Sequence, residues 1–247
     1  AIPANAAAGQ WNLFVQNPDG QNATRNNAFT INAPPPAGSS TWYLAEGTTA
    51  WGFGCYITIE NPNTTAVHAT LTYMTSSGQV PGGTVTLPAK SQATVNPADM
   101  LGAKDFSTKV VCTEGKTIAV DRTMTWTGPG AASSEAHSSV GVTSPAPTWY
   151  LPEGSSAWGF ETWLLIQNPN GSTANCNVTY MIEDANPVTV PKTIAPNTRQ
   201  TFNIKDDIGE KNASIKVVST NVAVIPERAM YWNNKGAGTD TIGGFSD

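Results

Sequence analysis

Residues 41–63, TWYLAEGTTAWGFGCYITIENPN, return as residues 148–170, TWYLPEGSSAWGFETWLLIQNPN. Trp42 and Trp149 stand 107 positions apart, and so do Asn61 and Asn168. The register continues without a gap to Cys112 and Ser219, with roughly a third of the positions identical. Self-similarity at a fixed period marks a duplicated structural unit. A period of 107 residues is an ordinary domain size, long enough to bury its own core. The chain is therefore expected to carry two copies of one domain, over residues 41–144 and 148–247, with 145–147 as a short, proline-stiffened linker.

Each copy reads as a series of short strands. In repeat 1 they fall at 41–47, 56–60, 68–74, 84–88, 92–96, 107–113, 117–126 and 137–143. Gly, Pro and Asn separate them, and alternating Thr, Val, Ile, Tyr and Trp fill them. Residues 78–83 read as a turn, 97–106 as holding one helical turn, and 128–134 as a loop. Regular short strands with turn signals between them predict an all-β chain of tandem immunoglobulin-like β-sandwiches.

Composition narrows the setting. Only 13% of residues are charged, and the net charge of −5 argues against nucleic acid, which rewards a basic face. No run of 18 apolar residues is present, so no membrane-spanning helix is expected. No leader-like segment opens the chain. The Lys-poor, Thr- and Asn-rich composition reads as secreted, extracellular or cell-surface. Glycosylation triplets occur at Asn22, Asn63, Asn170, Asn177 and Asn212. Cys55 and Cys112 are both absent from repeat 2, where Thr162 and Ser219 replace them. Joint loss is what a bonded pair would leave, so they are a disulfide candidate, against the alternative of two independent buried thiols. Cys176 reads as a small buried hydrophobe.

Residues 1–36 differ from the repeats. WNLFVQ and AFTIN flank a turn at Asn17-Pro18-Asp19-Gly20, forming a strand–turn–strand candidate. Asn17-Pro18-Asp19-Gly20, Ala23-Thr24 and Phe29-Thr30-Ile31 resemble the closing strands of the IPT/TIG family, an immunoglobulin-like sandwich. The resemblance covers about 25 residues, and the family's earlier strands have no counterpart here. A two-stranded hairpin is marginal alone in water. Trp11, Phe14, Val15, Phe29 and Ile31 would then need a cover, supplied by another part of the protein or by a neighbouring subunit through strand addition. Residues 37–40 close a proline-rich linker. The repeats themselves resemble a module found in multiples in large exported proteins of actinobacteria and other environmental bacteria. Residues 148–154, 159–170, 178–181 and 227–232 carry the likeness, and repeat 1 departs from it at Gly54-Cys55 and at Asp121-Arg122-Thr123-Met124. That resemblance implies a long multi-domain surface protein and no particular chemistry.

Candidate sites are few. The only histidines, His68 and His137, lie on a strand and near a loop, with no spacing suited to a triad or a zinc site. Glu46 and Glu153 recur after Trp-Tyr-Leu, and Arg122 and Arg228 recur four residues before Trp126 and Trp232. They are expected to form a structural Glu–Arg pair inside each repeat; a glycosidase would need two carboxylates flanking one bond. Trp42, Trp51, Trp126, Trp149, Trp158 and Trp232 read either as core or as stacking platforms for sugars. No cofactor or metal motif is present. The expectation is a non-enzymatic extracellular structural protein that self-associates through its N-terminal segment into a filament, sheath or stalk. The alternative is a cell-surface adhesin or carbohydrate-binding module with glycans as partners.

Overall fold

The computed structural model describes residues 9–31 and 39–246, with side chains over 12–26 and 39–245. Strand makes up 59% and helix 4%, so the chain is all-β. It forms two units, Ala1–Gly38 and Ser39–Asp247.

The first unit is a hairpin of β1 (Gly9–Gln16) and β2 (Asn22–Ile31), paired antiparallel from Gln16↔Asn22 to Gly9↔Ile31 with a bulge between Trp11 and Leu13. The turn explains the Asn-Pro-Asp-Gly signature. Gly20 sits at φ +89° and donates to the Asn17 carbonyl at 3.0 Å, while the Asp19 carboxylate accepts from the Gln21 amide at 3.0 Å. Among the described residues no third strand joins this sheet. Leu13, Phe14 and Val15 are successive and all about half exposed, so both faces of the ribbon are open. The side chains of Trp11, Phe29 and Ile31 lie outside the described residues.

In the second unit, repeat 1 forms β3 (Thr41–Leu44), β4 (Gly54–Asn61), β5 (Val67–Thr75), β6 (Gly78–Leu87), β7 (Ser91–Val95), β8 (Ser107–Cys112), β9 (Ala119–Trp126) and β10 (Glu135–Val140). Repeat 2 forms β11 (Thr148–Leu151), β12 (Glu161–Asn168), β13 (Ala174–Ile182), β14 (Val188–Ile194), β15 (Thr198–Asn203), β16 (Ala213–Ser219), β17 (Ile225–Trp232), β18 (Ala237–Ile242) and β19 (Gly244–Ser246). Sheet order β3-β8-β5-β6 in the first is matched by β11-β16-β13-β14 in the second, and β10-β9-β4-β7 by β18-β17-β12-β15. Each half buries its own core between its two sheets. Leu71, Tyr73 and Val110 meet Ile57, Ile59 and Val120 in one; Val178, Tyr180 and Val217 meet Leu164 and Ile166 in the other. Short helices, α1 (Ala98–Leu101) and α2 (Ile204–Ile208), occupy equivalent places.

Residues 78–83 are strand, not the expected turn: β6 begins at Gly78, and a bulge between Thr70 and Thr72 absorbs the irregularity. Gly82 is there for packing rather than turning, since a Cβ would come within 2.7 Å of the Tyr73 ring and 2.8 Å of Leu71.

Two repeated motifs prove to be internal clamps. Asn61 is fully buried, and its amide donates to the carbonyls of Thr65, Leu87 and Pro88 at 2.7–3.1 Å, while its oxygen accepts from the Asn63 backbone and side chain. Asn168 makes the same set with Ser172, Ile194, Ala195 and Asn170. Asn-Pro-Asn thus ties the end of one strand to two neighbouring loops. The indoles of Trp42 and Trp149 each donate to two carbonyls, Ser39 and Ile118 in one repeat, Ala146 and Val224 in the other. Trp149 is wholly buried, so it is core and not a sugar platform. Cys55, Cys112 and Cys176 are free and buried; the expected Cys55–Cys112 bond is not formed, and the Cys112 thiol instead points to Glu114 at 3.5 Å. Burial pushes the Cys55 thiol up to about 12, which keeps it protonated and unreactive.

Two glycosylation triplets are structurally occupied. The Asn63 amide donates to Asn61 and to the Thr117 carbonyl, and the Asn170 amide to Asn168 and the Ala223 carbonyl. A glycan would replace a hydrogen already in use. The Asn212 amide donates to Glu183, and Asn22 and Asn177 are exposed on β2 and β13.

Candidate functional site at the joint between the repeats

Alternating burial is the ordinary mark of a sheet with one wet face, but β17 is buried at seven consecutive positions, 225–231. One of its faces covers the core of repeat 2. The other, with Glu227, Ala229 and Tyr231, turns to repeat 1, as do Leu165 and Gln167 of β12. This second face builds the joint.

Its centre is ionic. Arg122, on β9 and wholly buried, donates through Nη1 to the Glu46 carbonyl at 2.8 Å and to Glu227 Oε1 at 3.2 Å. Its Nη2 lies 2.7 Å from Asp240 Oδ1, an ion pair whose angle is too poor for a hydrogen bond. Glu227 Oε2 accepts from the Glu46 amide at 2.6 Å, and Arg199 Nη2 reaches Glu46 Oε2 at 3.2 Å. The expected pairing of Glu46 with Arg122 inside repeat 1 is therefore replaced by crossed pairs, each spanning the joint: Arg122 with Glu227 and Asp240, Glu46 with Arg199. In repeat 2, Glu153 is exposed, and Arg228 is 4% exposed with Nε and Nη1 lacking any partner, so the expected Glu153–Arg228 pair is not formed.

Three carboxyls here face two guanidiniums, so one proton balances the cluster. Burial first, and then Asp240, push Glu227 up to about 7, with Arg122 opposing; burial likewise raises Asp240 and Glu46. Arg122 is held more firmly charged than usual, because its carboxylates outweigh burial. A carboxyl raised from 4.5 to about 7 on folding stabilises the fold fully below 4.5, and that stability is lost as pH rises through 7. His137, lowered from 6.5 to about 4 chiefly by burial, acts oppositely: its stability is present above 6.5 and lost toward 4. The two offset each other in the intact protein. Denaturant titrations of the wild type and Glu227→Gln should separate them, the wild type losing about 3 kcal/mol relative to the variant as pH goes from 4.5 to 8.

Around the charges lies an aromatic collar. Trp126 stacks on Phe53 at 5.4 Å and meets Tyr231 edge-on at 5.4 Å, and His137 closes the group. The Trp126 indole donates to the Lys235 carbonyl at 2.8 Å. Gly130 lies against Asn233 so closely that a Cβ would come within 1.8 Å of its carbonyl, which is why the loop at 128–131 carries glycines. Beside the collar a cleft of about 360 Å³ is lined by Trp51, Phe53, Trp163, Tyr231, Glu46 and Arg199.

Trp51 and Trp158 share an unusual conformation. Trp51 has φ +60° and Gly52 φ +83°, and Phe53 N–H donates to Ala50 at 3.0 Å; Trp158, Gly159 and Phe160 repeat this with Ala157. These are I′-like turns, in which Asn, Asp or Gly ordinarily hold the place of the tryptophan. Left-handed backbone costs a non-glycine residue about 1–2 kcal/mol. Both indoles project from the tips, 80% and 74% exposed.

Among the described residues no group of three His, Cys, Asp or Glu side chains is placed to hold a metal ion, and no helix is long and apolar enough to cross a membrane. His68 pairs with Glu114 at 2.6 Å on the surface, where hydrogen bonds from His68 hold the Glu114 carboxyl down at about 2.

Sequence reading identified Arg122 and Glu46 but missed Arg199, Asp240 and Gln167. The signal available was difference rather than identity. Arg199 stands where repeat 1 has Gln92, Asp240 where β10 has Ser138, and Gln167 where β4 has Glu60. Arg199, Asp240 and Gln167 are joint residues that the copies do not share, whereas Arg122 and Glu46, which recur, are the ones that repetition exposes.

No protein-family model and no curated protein matches the chain. Among solved structures, the crystal structure of Thermotoga maritima 1070 aligns with 41% of this chain and 96% of its own, at 27% identity and a TM-score of 0.37.

Proposed function

We propose that this chain is a non-enzymatic extracellular structural protein, a subunit of a surface filament, sheath or stalk that assembles through its N-terminal strands. The observation that carries the reading is the hairpin β1–β2, a two-stranded ribbon with Leu13, Phe14 and Val15 exposed on successive positions. Such a ribbon leaves backbone groups open on both edges and apolar side chains on both faces, and strand addition to a neighbour satisfies both at once. The joint between the repeats, packed through buried ion pairs and aromatic rings, suits a load-bearing or spacing role. Electron microscopy of the purified chain, with mass per subunit, tests the reading. Filaments from the wild type that are lost with Phe14→Asp are the expected result; filaments that persist unchanged in that variant would overturn assembly through the hairpin.

One observation favours a second reading, a cell-surface adhesin or carbohydrate-binding module. Trp51 and Trp158 are held exposed in a strained turn in both repeats, and Trp51 borders the cleft at the joint. A flat indole face stacks on a sugar ring. Titration with soluble polysaccharides, followed by tryptophan fluorescence, should give a saturable change that Trp51→Ala weakens. A flat response across diverse glycans would remove this reading.

A further inference from the structure

The contact between the repeats has two different sides, and each repeat carries both. Repeat 1 offers a receiving face: Tyr43 and Ala45 at the end of β3, Met74 on β5, and Arg122 and Trp126 on β9. Repeat 2 offers an inserting face, the outer side of the sheet β15-β12-β17-β18. Within the described residues of the second unit, no other element is docked on the two corresponding faces. In repeat 2 the residues at the receiving positions are Tyr150, Pro152, Met181, Arg228 and Trp232. In repeat 1 the outer side of β10-β9-β4-β7 carries Tyr56, Asp121 and Val140 where repeat 2 has Trp163, Glu227 and Ile242.

Exposure follows occupancy. Met74 is 1% exposed and Gln167 of repeat 2 lies 3.6 Å from its sulfur; its counterpart Met181 is 39% exposed. Ala45 is wholly buried, and Pro152 is exposed. Glu46 is buried, and Glu153 is in water. On the vacant inserting face, Tyr56 is 40% and Val140 62% exposed. Apart from the hairpin and the two tryptophan tips, most large exposed apolar side chains sit at these two ends. Arg228 supplies the independent sign: a 4% exposed arginine that makes no ion pair among the described residues and whose Nε and Nη1 find no acceptor, at the position where Arg122, itself unmet at Nε, binds three groups. An unmet buried donor calls for an acceptor from outside.

We infer that repeat 2 receives the outer sheet of repeat 1 from a second copy of this chain, so that copies join head to tail by the same docking that joins the repeats internally. Asp121 of the incoming copy takes the place that Glu227 holds at the internal joint and meets Arg228. Tyr56 takes the place of Trp163, and Val140 that of Ile242. The match is thinner than the internal one, because Gln92 replaces Arg199 and Ser138 replaces Asp240. Association is therefore reversible and concentration-dependent, where the internal joint is permanent. Two unlike faces make a heterologous contact, which propagates from copy to copy, into an open filament where the rotation does not close and a ring where it does, rather than pairing two copies symmetrically. The inference rests on the reading of the chain as a structural subunit that self-associates, but it sets a different contact in place of the hairpin.

Sedimentation velocity on the full chain over a wide concentration range tests it. Val140→Glu spoils only the inserting face and Met181→Glu only the receiving face; both sites are exposed, so the fold tolerates them. Each variant alone should stay at 25.9 kDa at concentrations where the wild type grows into larger species. Mixed one to one, they should form a dimer and nothing larger, since each keeps one good face. A wild type that stays monomeric throughout, or variants that associate as the wild type does, would overturn the inference. Phe14→Asp separates the two modes: loss of association there, with Val140→Glu and Met181→Glu unaffected, leaves the hairpin assembly standing and removes this one, and the opposite pattern does the reverse.

Discussion

Arg122→Met should destabilise the protein by about 3–5 kcal/mol, while Arg228→Met, at the equivalent position of the other repeat, should change stability by less than about 1 kcal/mol or raise it. The contrast comes from partners, not burial. Arg122 and Arg228 are 0% and 4% exposed, so both have been taken out of water. Arg122 holds the Glu46 carbonyl and counters Glu227 and Asp240. Its loss leaves two buried carboxylates with nothing to balance them. Methionine fills much of the space, so the loss is electrostatic rather than a cavity. Arg228 has no acceptor for Nε or Nη1, so its removal deletes an unmet donor. Urea denaturation of dilute protein measures both. Equal losses at the two sites would mean that Arg122 owes its role to packing alone. The Arg122 variant should also regain part of its stability in acid, where protonation neutralises Glu227 and Asp240.

Asn61→Ala should cost upwards of about 3 kcal/mol, and so should Asn168→Ala. Each side chain is fully buried and serves three carbonyls through its amide and two donors through its oxygen. Removing it strands several backbone groups where water does not reach, and each stranded group costs about 1–3 kcal/mol. Asn61→Asp distinguishes this account from simple loss of packing. The shape is kept and the accepting oxygen survives, but the donating nitrogen becomes an oxygen facing the carbonyls of Thr65, Leu87 and Pro88. It should be at least as damaging as alanine. A thermal melt in which Asn61→Asp is near wild type would defeat the claim.

These two sites divide what could be read in advance from what could not. Asn-Pro-Asn stands out in the sequence because both copies need the same local clamp, and local needs repeat with the fold. The duplication, the strand content and the hairpin turn are legible for the same reason: a period of two, a glycine at positive φ and a Trp-Tyr-Leu start are short-range requirements that one segment meets by itself. Residues 78–83 misled because Gly and Pro signal turns locally, whereas Gly82 is required by Tyr73 and Leu71 across the sheet. Cys55 and Cys112 vanish together from repeat 2, but joint absence carries no geometry, and the two thiols are unbonded.

Local patterning is enough to specify an all-β chain with a repeated strand pattern and an atypical N-terminal ribbon. Whose charge meets whose is settled by how the sheets dock. Glu46 and Arg122 recur as a pair in the sequence, yet each binds residues of the other repeat, 105–181 positions away. Pairing of buried ions is set by which face of which sheet covers them, and sequence periodicity says that a face is buried without saying what lies above it. The seven buried positions of β17 are the physical reason: a strand covered on both sides belongs to two cores at once, and the second core exists only after the repeats have docked.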